Sequence, residues 1–370
     1  MKILVAPDKF KGSLTSFEAC SAIGDGIKNV SGNAEVVELP MADGGDGFAS
    51  VLQHYLKTET INCDTVDPLG RDIKASYQWD VNNRTAIIEM AVASGLVLLK
   101  ELEKNPLETS ALGTGIIIKH AIGKGAKKII LGLGGSATND GGTGILYALG
   151  FQLQNDRGAS LEPSGENLLY ISKIIPPSVI PKIKIEIACD VQNVMYGPQG
   201  AAHVYAPQKG ANKEQVEILD KGLKNLAEVL KEQTGKEVWD IPGTGAAGGI
   251  AAGLLPFFDV SMKKGIEVIT EAAGIEKKIP GADLVITGEG KIDDQSNEGK
   301  VVGYVAALAK KYNIPCIGLC GITELDETGI EKLGLKKIIA LQDGNINSEE
   351  AINNAAALLK EKATKVLDFL

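Results

Sequence analysis

The sequence is poor in the residues that build metal centres and disulfide frameworks. Its 370 residues include three histidines and five cysteines. An odd number of cysteines scattered over a long chain does not indicate a disulfide framework, and no Cys/His cluster has the spacing of a zinc site. Cys316 and Cys320 lie in one short apolar segment. We therefore predict that they are small core residues of a buried strand.

Long hydrophobic runs are also missing. The longest, residues 249–258, is interrupted by Gly253 and Pro256 and is far shorter than a membrane span. The N-terminal apolar residues are interrupted by Asp8 and are too few for the core of a signal peptide. We expect a cytoplasmic protein without a membrane partner.

Positive charge is in short supply. The chain has 38 basic and 47 acidic residues, which gives a net charge of −9, and its arginines are Arg71, Arg84 and Arg157. This balance argues against nucleic acid as a partner. A phosphate site would have to consist of backbone amides and a few placed cations.

The length of the chain favours two domains.

Strands and helices alternate at both ends of the chain. The alternation predicts a parallel, doubly wound sheet. The predicted elements are strand 2–6, helix 15–30, strand 34–39, helix 45–56, strand 283–287, helix 299–312, strands 315–319 and 336–341, and a closing helix from Ser348.

The middle of the chain has a different order of predicted elements. Three predicted strands, 59–67, 74–80 and 85–90, follow one another without helices, which favours antiparallel pairing. We predict an α/β fold in which a second domain, residues 76–259, is inserted into a discontinuous one. That first domain would comprise residues 1–75 and 260–370, so the two chain ends would complete one sheet.

Two strand-to-helix segments near the start combine glycine with charged residues. In open α/β sheets, ligands bind at the carboxyl ends of strands. Residues 6–13 include Lys11 and Ser13, which suit an anionic substrate, although a solvated loop explains them as well. The segment 41–47 contains two carboxylates that could hold Mg²⁺ or position a hydroxyl, or could be ordinary turn residues. These carboxylates are Asp43 and Asp46.

A third segment, residues 132–142, is called the glycine-rich turn below. It follows a hydrophobic strand and precedes a helix. Successive amides in such a turn form an anion-binding nest, so we predict a phosphate site. The predicted ligand residues are Gly134, Gly135, Ser136 and Asn139.

A fourth segment leaves the predicted strand 283–287 and enters the next helix. Its acidic residues can take a metal or a proton, its lysines can reach phosphate, and its glycines let the backbone approach a ligand. Mixed surface charge is the alternative explanation. The candidates are Gly288, Glu289, Gly290, Lys291, Asp293 and Lys300.

Arg71 lies in the tight turn 67–71, where it would present a rigid guanidinium fork to a carboxylate or phosphate.

Besides an enzyme that transfers phosphate at these segments, two functions remain open at this point. Residues 132–137 and 243–248 both fit a dinucleotide fingerprint, which would indicate an NAD-dependent hydroxy-acid dehydrogenase. The second match does not follow a convincing strand, so close packing explains it better, and residues 151–155 form a poor second strand for the first. A non-catalytic hydroxy-acid sensor would bind its ligand without ATP turnover and would leave the acidic segment 289–293 unexplained.

Taken in order, these segments resemble the bacterial glycerate kinase family, which phosphorylates D-glycerate at its 2-hydroxyl. The likeness covers nearly the whole chain. Asn193-Val194-Met195, Lys291 and Val301 depart from the usual family pattern, and only Lys291 is a plausible ligand group. The shared motifs are APDKFKGSL (6–14), PMADGGDG (40–47), DPLGR (67–71), ASGL (93–96), NPLETSALGTG (105–115), GLGGSATNDGG (132–142), CDV (189–191), PQKGA (207–211), GTGAAGG (243–249) and TGEGKIDDQS (287–296).

The resemblance implies a flavodoxin-like parallel-sheet domain with a second, restriction-endonuclease-like α/β domain inserted. It also implies ATP and Mg²⁺ as cofactors and D-glycerate as the small-molecule substrate. Asp190, after the predicted strand 185–189, would orient the attacking hydroxyl. The other implied roles are catalysis for Lys11 and Lys291; substrate binding for Ser13, Arg71 and Asp46; cofactor binding for Gly134, Gly135, Ser136, Asn139, Gly288, Gly290 and Lys300; and metal binding for Asp43, Glu289 and Asp293.

Overall fold

The chain folds into two compact units. The computed structural model describes residues 1–43, 47–293, 296, 300–342 and 346–369. Unit 1 contains both chain ends, Met1–Tyr55 and Lys264–Leu370, and unit 2 contains Leu56–Lys263.

The strands follow the predicted pattern at both ends and in the middle of the chain. They are β1 (Lys2–Pro7), β2 (Glu35–Glu38), β3 (Glu59–Val66), β4 (Asp72–Asp80), β5 (Thr85–Glu89), β6 (Lys128–Gly132), β7 (Gln152–Gln154), β8 (Ser160–Leu161), β9 (Lys173–Ile175), β10 (Lys184–Ala188), β11 (Asp259–Lys263), β12 (Leu284–Ile292), β13 (Cys316–Thr323) and β14 (Lys337–Ala340).

Local chemistry sets the helix starts. At the first helix, Thr15 accepts a hydrogen bond from the amide of Glu18, and the Glu18 carboxylate accepts one from the amide of Thr15, so both residues satisfy free helix-end donors. The helices are α1 (Ser16–Val30), α2 (Phe48–Leu56), α3 (Ala91–Ser94), α4 (Leu112–Gly123), α5 (Thr143–Ala148), α6 (Ala201–Tyr205), α7 (Lys213–Thr234), α8 (Ile250–Leu254), α9 (Gly265–Ala273), α10 (Ile275–Lys278), α11 (Val301–Lys311), α12 (Glu327–Lys332), α13 (Ser348–Asn353) and α14 (Ala355–Ala363).

Unit 1 is built on a five-stranded parallel sheet in the order β14-β13-β12-β1-β2. Numbered within the unit, this order is 2-1-3-4-5, the flavodoxin-like arrangement, and it confirms the predicted fold. Ile3, Val5, Ile286 and Ile317 belong to its buried core. The strand order reverses between β1 and β12, and ligands of such sheets bind at that switch point.

Unit 2 is built on a mixed sheet in the order β11-β10-β6-β5-β4-β3. Its first four strands are parallel, whereas β4 and β3 pair antiparallel, as predicted. The unit boundaries lie elsewhere than predicted: a boundary at 75/76 would cut β4, and one at 259/260 would cut β11. Because these strands are paired inside one sheet, they stay together. A separate small sheet has the order β8-β7-β9.

All five cysteines are buried and unpaired, and Cys316 and Cys320 lie on β13, as predicted. Across the described ranges, no helix is both long enough and apolar enough to cross a membrane.

Helices α1 and α14 approach each other closely at Gly26. A Cβ atom on Gly26 would lie 2.2 Å from the Lys360 carbonyl oxygen, a distance that no real Cβ tolerates. We expect Gly26→Ala to lower the free energy of unfolding by about 1–3 kcal/mol, the usual cost of overpacking. Urea unfolding would measure this. Gly32→Ala is the matched control, because a Cβ there meets no atom within 4 Å. Equal stability of the two variants would contradict the packing argument.

Candidate functional site

In unit 1, the segment that follows β1 meets the C-terminal half of β12 at the switch point of the sheet. The amide of Asp8 donates to the Gly288 carbonyl oxygen at 2.8 Å. A Cβ atom on Gly290 would lie 3.1 Å from the amide nitrogen of Lys11, and one on Gly288 would lie 2.2 Å from the Leu319 carbonyl oxygen. These glycines therefore let neighbouring backbone segments approach one another.

Three carboxylates share this edge, and we call them the switch-point cluster: Asp8, Asp43 and Glu289. Asp8 is 5% exposed. Burial, and secondly the nearby charge of Asp43, raise the pKa of Asp8 to about 7. Burial also raises the pKa of Glu289, although its Oε1 accepts a hydrogen bond from Ser296 Oγ at 2.6 Å. The carboxylates repel one another, so a cation at this edge would lower their electrostatic free energy.

The donor set of the switch-point cluster suits Mg²⁺ better than a metal enclosed by protein. Among the described residues, no three His, Cys, Asp or Glu side chains are placed to hold a metal ion by themselves. Mg²⁺ usually takes one or two carboxylates together with water and substrate phosphates. Sequence analysis missed Asp8. The available signal was a charged residue directly after a buried strand at the switch point.

Lys11 and Ser13, two predicted site residues of unit 1, line a cavity beside the cluster. This cavity of about 350 Å³ is lined by residues 8–18 together with part of the 41–51 segment. Lys11 is exposed, while Ser13 is half-buried and its Oγ donates to the Phe10 carbonyl oxygen at 3.1 Å. Lys300, directly before α11, attracts Glu289 and opposes the rise in its pKa. Asp46 lies outside the described residues.

Two predicted cations already have acidic partners. Lys291 is exposed and pairs with Asp293 at 3.5 Å and with Glu324 at 3.1 Å. In unit 2, the guanidinium of Arg71 donates to Asp67 and, at 2.8 Å, to Glu103. A ligand of Arg71 or Lys291 would compete with these carboxylates.

In unit 2, three parallel strands end side by side. Glu89 of β5 is in register with Gly132 of β6, which is in register with Ala188 of β10. Asp190 is exposed two residues beyond β10, and the exposed tip of the glycine-rich turn, Gly134–Gly135, lies two residues beyond β6. The fold therefore brings Asp190 and the tip to one edge of the sheet.

The C-terminal half of the glycine-rich turn surrounds a carboxylate of the protein itself. Asp140 is fully buried and accepts hydrogen bonds from the amides of Ala111 (2.7 Å), Gly142 (3.1 Å) and Gly144 (3.1 Å). Burial raises the pKa of Asp140, and these hydrogen bonds oppose the rise. These amides are thus occupied, and the exposed tip is the part of the turn that can donate to a phosphate.

The remaining residues of the turn are buried behind the tip. Ser136 and Asn139 are 7% and 0% exposed. Within the described part of the chain, neither polar atom of the Asn139 side chain nor Thr138 Oγ1 has a hydrogen-bond partner. Leaving such atoms buried and unpaired costs about 1–3 kcal/mol each. The donor and acceptor chemistry of these atoms suits a polar ligand that reaches behind the tip.

The structure gives the dinucleotide-like segments other roles. A Cβ atom on Gly245 would lie 2.1 Å from the Val194 carbonyl oxygen, and one on Gly248 would lie 2.3 Å from that of Thr138. Close packing therefore explains residues 243–248, as sequence analysis favoured. The strand after the glycine-rich turn, β7, belongs to the small sheet and is not a neighbour of β6. The turn thus lacks the βαβ context of a dinucleotide site.

Comparisons with known proteins identify the family. Residues 3–370 match the glycerate kinase family. The glycerate kinase of Bacillus subtilis (strain 168) is 38% identical over 369 residues, which cover 99% of this chain and 97% of that protein. The glycerate 2-kinase of Escherichia coli (strain K12) is 39% identical over 358 residues, which cover 96% and 94%.

A solved structure agrees with these matches. A crystal structure described as a glycerate kinase 2 from Salmonella typhimurium LT2 matches the fold with a TM-score of 0.88 and 38% identity, covering 100% of this chain and 97% of that one. Because sequence and fold match over essentially the full length, this chain belongs to the glycerate kinase family and is a kinase.

Proposed function

We propose that the protein transfers the γ-phosphoryl group of ATP to the 2-hydroxyl of D-glycerate, giving 2-phosphoglycerate. The observation that carries the proposal is the family match over residues 3–370. The relative named glycerate 2-kinase favours the 2-position. The dehydrogenase and sensor alternatives gain no support from the matched family, and the fold around the glycine-rich turn argues against the dehydrogenase.

The exposed tip of the glycine-rich turn is the proposed phosphate cradle. Gly135 has a φ of +70°, the left-handed backbone conformation that occurs in nests of successive amides around an anion. The amides of Gly134 and Gly135 would donate to phosphate oxygens. Ser136 and Asn139 would support the tip from behind, and the free polar atoms of Asn139 suit a hydrogen-bonding ligand.

The switch-point cluster is the proposed metal site, where Mg²⁺ would take one or two carboxylates together with water and phosphate. Asp43 and Glu289 are predicted ligands, and Asp8 is a candidate added from the structure. Asp293 is a further predicted ligand outside the cluster, and it pairs with Lys291. Mg²⁺ bound at the cluster would neutralise charge on the phosphates during transfer. Lys11 and Lys300 would contribute further positive charge near the transferred group. Lys291 is paired with two carboxylates and would contribute less.

The proposed acceptor site uses a carboxylate to handle the hydroxyl proton. Asp190 would hold the 2-hydroxyl of glycerate and accept its proton as the new bond to phosphorus forms. Ser13, which lines the cavity of unit 1, remains a proposed substrate residue. Arg71 and Asp46 remain proposed substrate residues, and Arg71 would have to exchange one of its present partners.

The reaction itself is the first test. With D-glycerate, ATP and Mg²⁺, we expect ADP to form and phosphorus NMR to identify 2-phosphoglycerate, whereas chelation of Mg²⁺ should stop turnover. A 3-phosphorylated product would overturn the assigned position. Absence of ADP formation with all three components at saturation would overturn the kinase assignment.

Asp190→Asn tests the proton acceptor. We expect kcat to fall on the order of 10²-fold or more, the usual contribution of general acid–base catalysis, because the amide cannot take the proton. The fold and both substrate affinities should survive the nearly isosteric change. Asp259→Asn is the matched control, because Asp259 is also exposed but begins β11 at the opposite edge of the sheet. Near-normal kcat in Asp190→Asn would exclude Asp190 as the base.

Glu289→Gln tests the metal site. We expect the Mg²⁺ concentration for half-maximal activity to rise about tenfold or more, since losing even a residue that only supports a ligand costs a metal site about 10–100-fold in affinity. Excess Mg²⁺ should restore much of the activity. Glu331→Gln, an exposed change on α12, provides the control. An unchanged Mg²⁺ dependence in Glu289→Gln would remove Glu289 from the metal ligands.

A further inference from the structure

Lys209 is a buried lysine directly behind the glycine-rich turn. It ends the 3-10 helix Pro207–Lys209 and is 2% exposed. The next residue, Gly210, has a φ of +100°, and a Cβ atom there would lie 2.2 Å from the Lys104 carbonyl oxygen. The backbone on this side is therefore tightly fixed, and the lysine side chain points into the protein.

The Lys209 ammonium bonds to two groups of the turn. Its Nζ donates to the Thr138 carbonyl oxygen at 2.7 Å and to Ser136 Oγ at 3.1 Å. Burial lowers the pKa of Lys209 to about 7, and the attraction of Asp140 opposes this shift. An isolated buried charge is costly, and removing the ammonium would leave both acceptors buried and unpaired.

The opposite side of the turn is held by main-chain bonds. The amide of Leu96 donates to the Gly135 carbonyl oxygen at 2.9 Å, and the amide of Ala137 donates to that of Ser94 at 2.8 Å. Further along, Thr109 Oγ1 donates to the Ala137 carbonyl oxygen at 2.9 Å, and the amide of Gly141 donates to the Gly248 carbonyl oxygen at 2.9 Å. Between these bonds, Lys209 adds a side-chain anchor, because its two acceptors flank Ala137 in the sequence.

We propose that Lys209 is a positioning residue of the nucleotide site, whose ammonium fixes residues 136–138 and thereby holds the Gly134–Gly135 tip in its phosphate-binding conformation. Lys209 itself does not touch the nucleotide. The inference rests on the proposed function for the identity of the ligand, but the conformational role can be tested without any ligand.

Lys209→Met keeps the length of the side chain and removes its donors. In the free protein, we expect amide hydrogen exchange to accelerate in peptides covering residues 133–142 and to stay unchanged in β10. In kinetics, KM for ATP should rise ~10-fold or more, as expected when hydrogen bonds from a charged donor are lost, while KM for glycerate stays near wild type. Lys362→Met is the control, because Lys362 is also buried but lies on α14 of unit 1.

The coupling to Ser136 separates positioning from a general structural role. In a Ser136→Ala background, Lys209→Met should raise KM for ATP by a smaller factor than in wild type, because one of its acceptors has already gone. Fully additive effects, or unchanged exchange in the turn of Lys209→Met, would overturn the proposal. If Lys209→Met does not fold, Ser136→Ala alone carries the test, and unchanged exchange in its turn would overturn the proposal equally.

Failure of this inference differs from failure of the proposed function. A wild-type protein that does not phosphorylate glycerate would contradict the proposed function, while faster exchange in Lys209→Met would still support the anchor. An active wild type whose Lys209→Met variant keeps both its exchange pattern and its KM for ATP would leave the kinase assignment intact and remove Lys209 from the nucleotide site.

Discussion

The parallel pairing of β1 with β12 is the constraint on which the arrangement of unit 1 depends. Residues 281 positions apart in the chain are joined in register, from Ile3 with Leu284 to Pro7 with Gly288. Without this pairing, the sheet would separate into β1-β2 and β12-β13-β14. The same pairing creates the switch point and brings the carboxylates of Asp8 and Glu289 close enough to repel each other.

Both units place costly polar groups near the carboxyl ends of parallel strands. Most strand residues are buried and paired, so the carboxyl ends of the strands are where backbone amides and polar side chains become available to a ligand. In unit 1, the switch-point cluster concentrates negative charge. In unit 2, the glycine-rich turn buries Asp140 and Lys209 behind an exposed tip. Such groups lower stability unless a ligand or a neighbouring group compensates them, which is typical of functional sites.

The glycine-rich turn combines two tasks that its sequence does not separate. Its last residue, Gly142, donates its amide to Asp140, as does Gly144 in α5, while Gly134 and Gly135 stay exposed. An uninterrupted series of small residues permits both, because a larger side chain would block either the approach of the amides to the carboxylate or that of a phosphate to the tip. A mutation in this turn can therefore affect stability and ligand binding by different routes.

The sequence by itself determined the alternation of strands and helices and the antiparallel middle strands, because hydrophobic periodicity and turn chemistry act between near neighbours. Those same signals indicated that Lys11, Asp43 and Asp190 would follow strands. Glu289 was predicted to follow a strand that ends at residue 287, but it lies within β12, which continues to Ile292. The family was indicated by the resemblance of its ordered motifs. The tertiary structure alone decided that β3 and β4 join unit 2, that Asp8 is buried against other carboxylates, and that Lys209 reaches Ser136. These features arise from contacts between residues far apart in the chain, where burial and electrostatics depend on the packed surroundings rather than on local sequence.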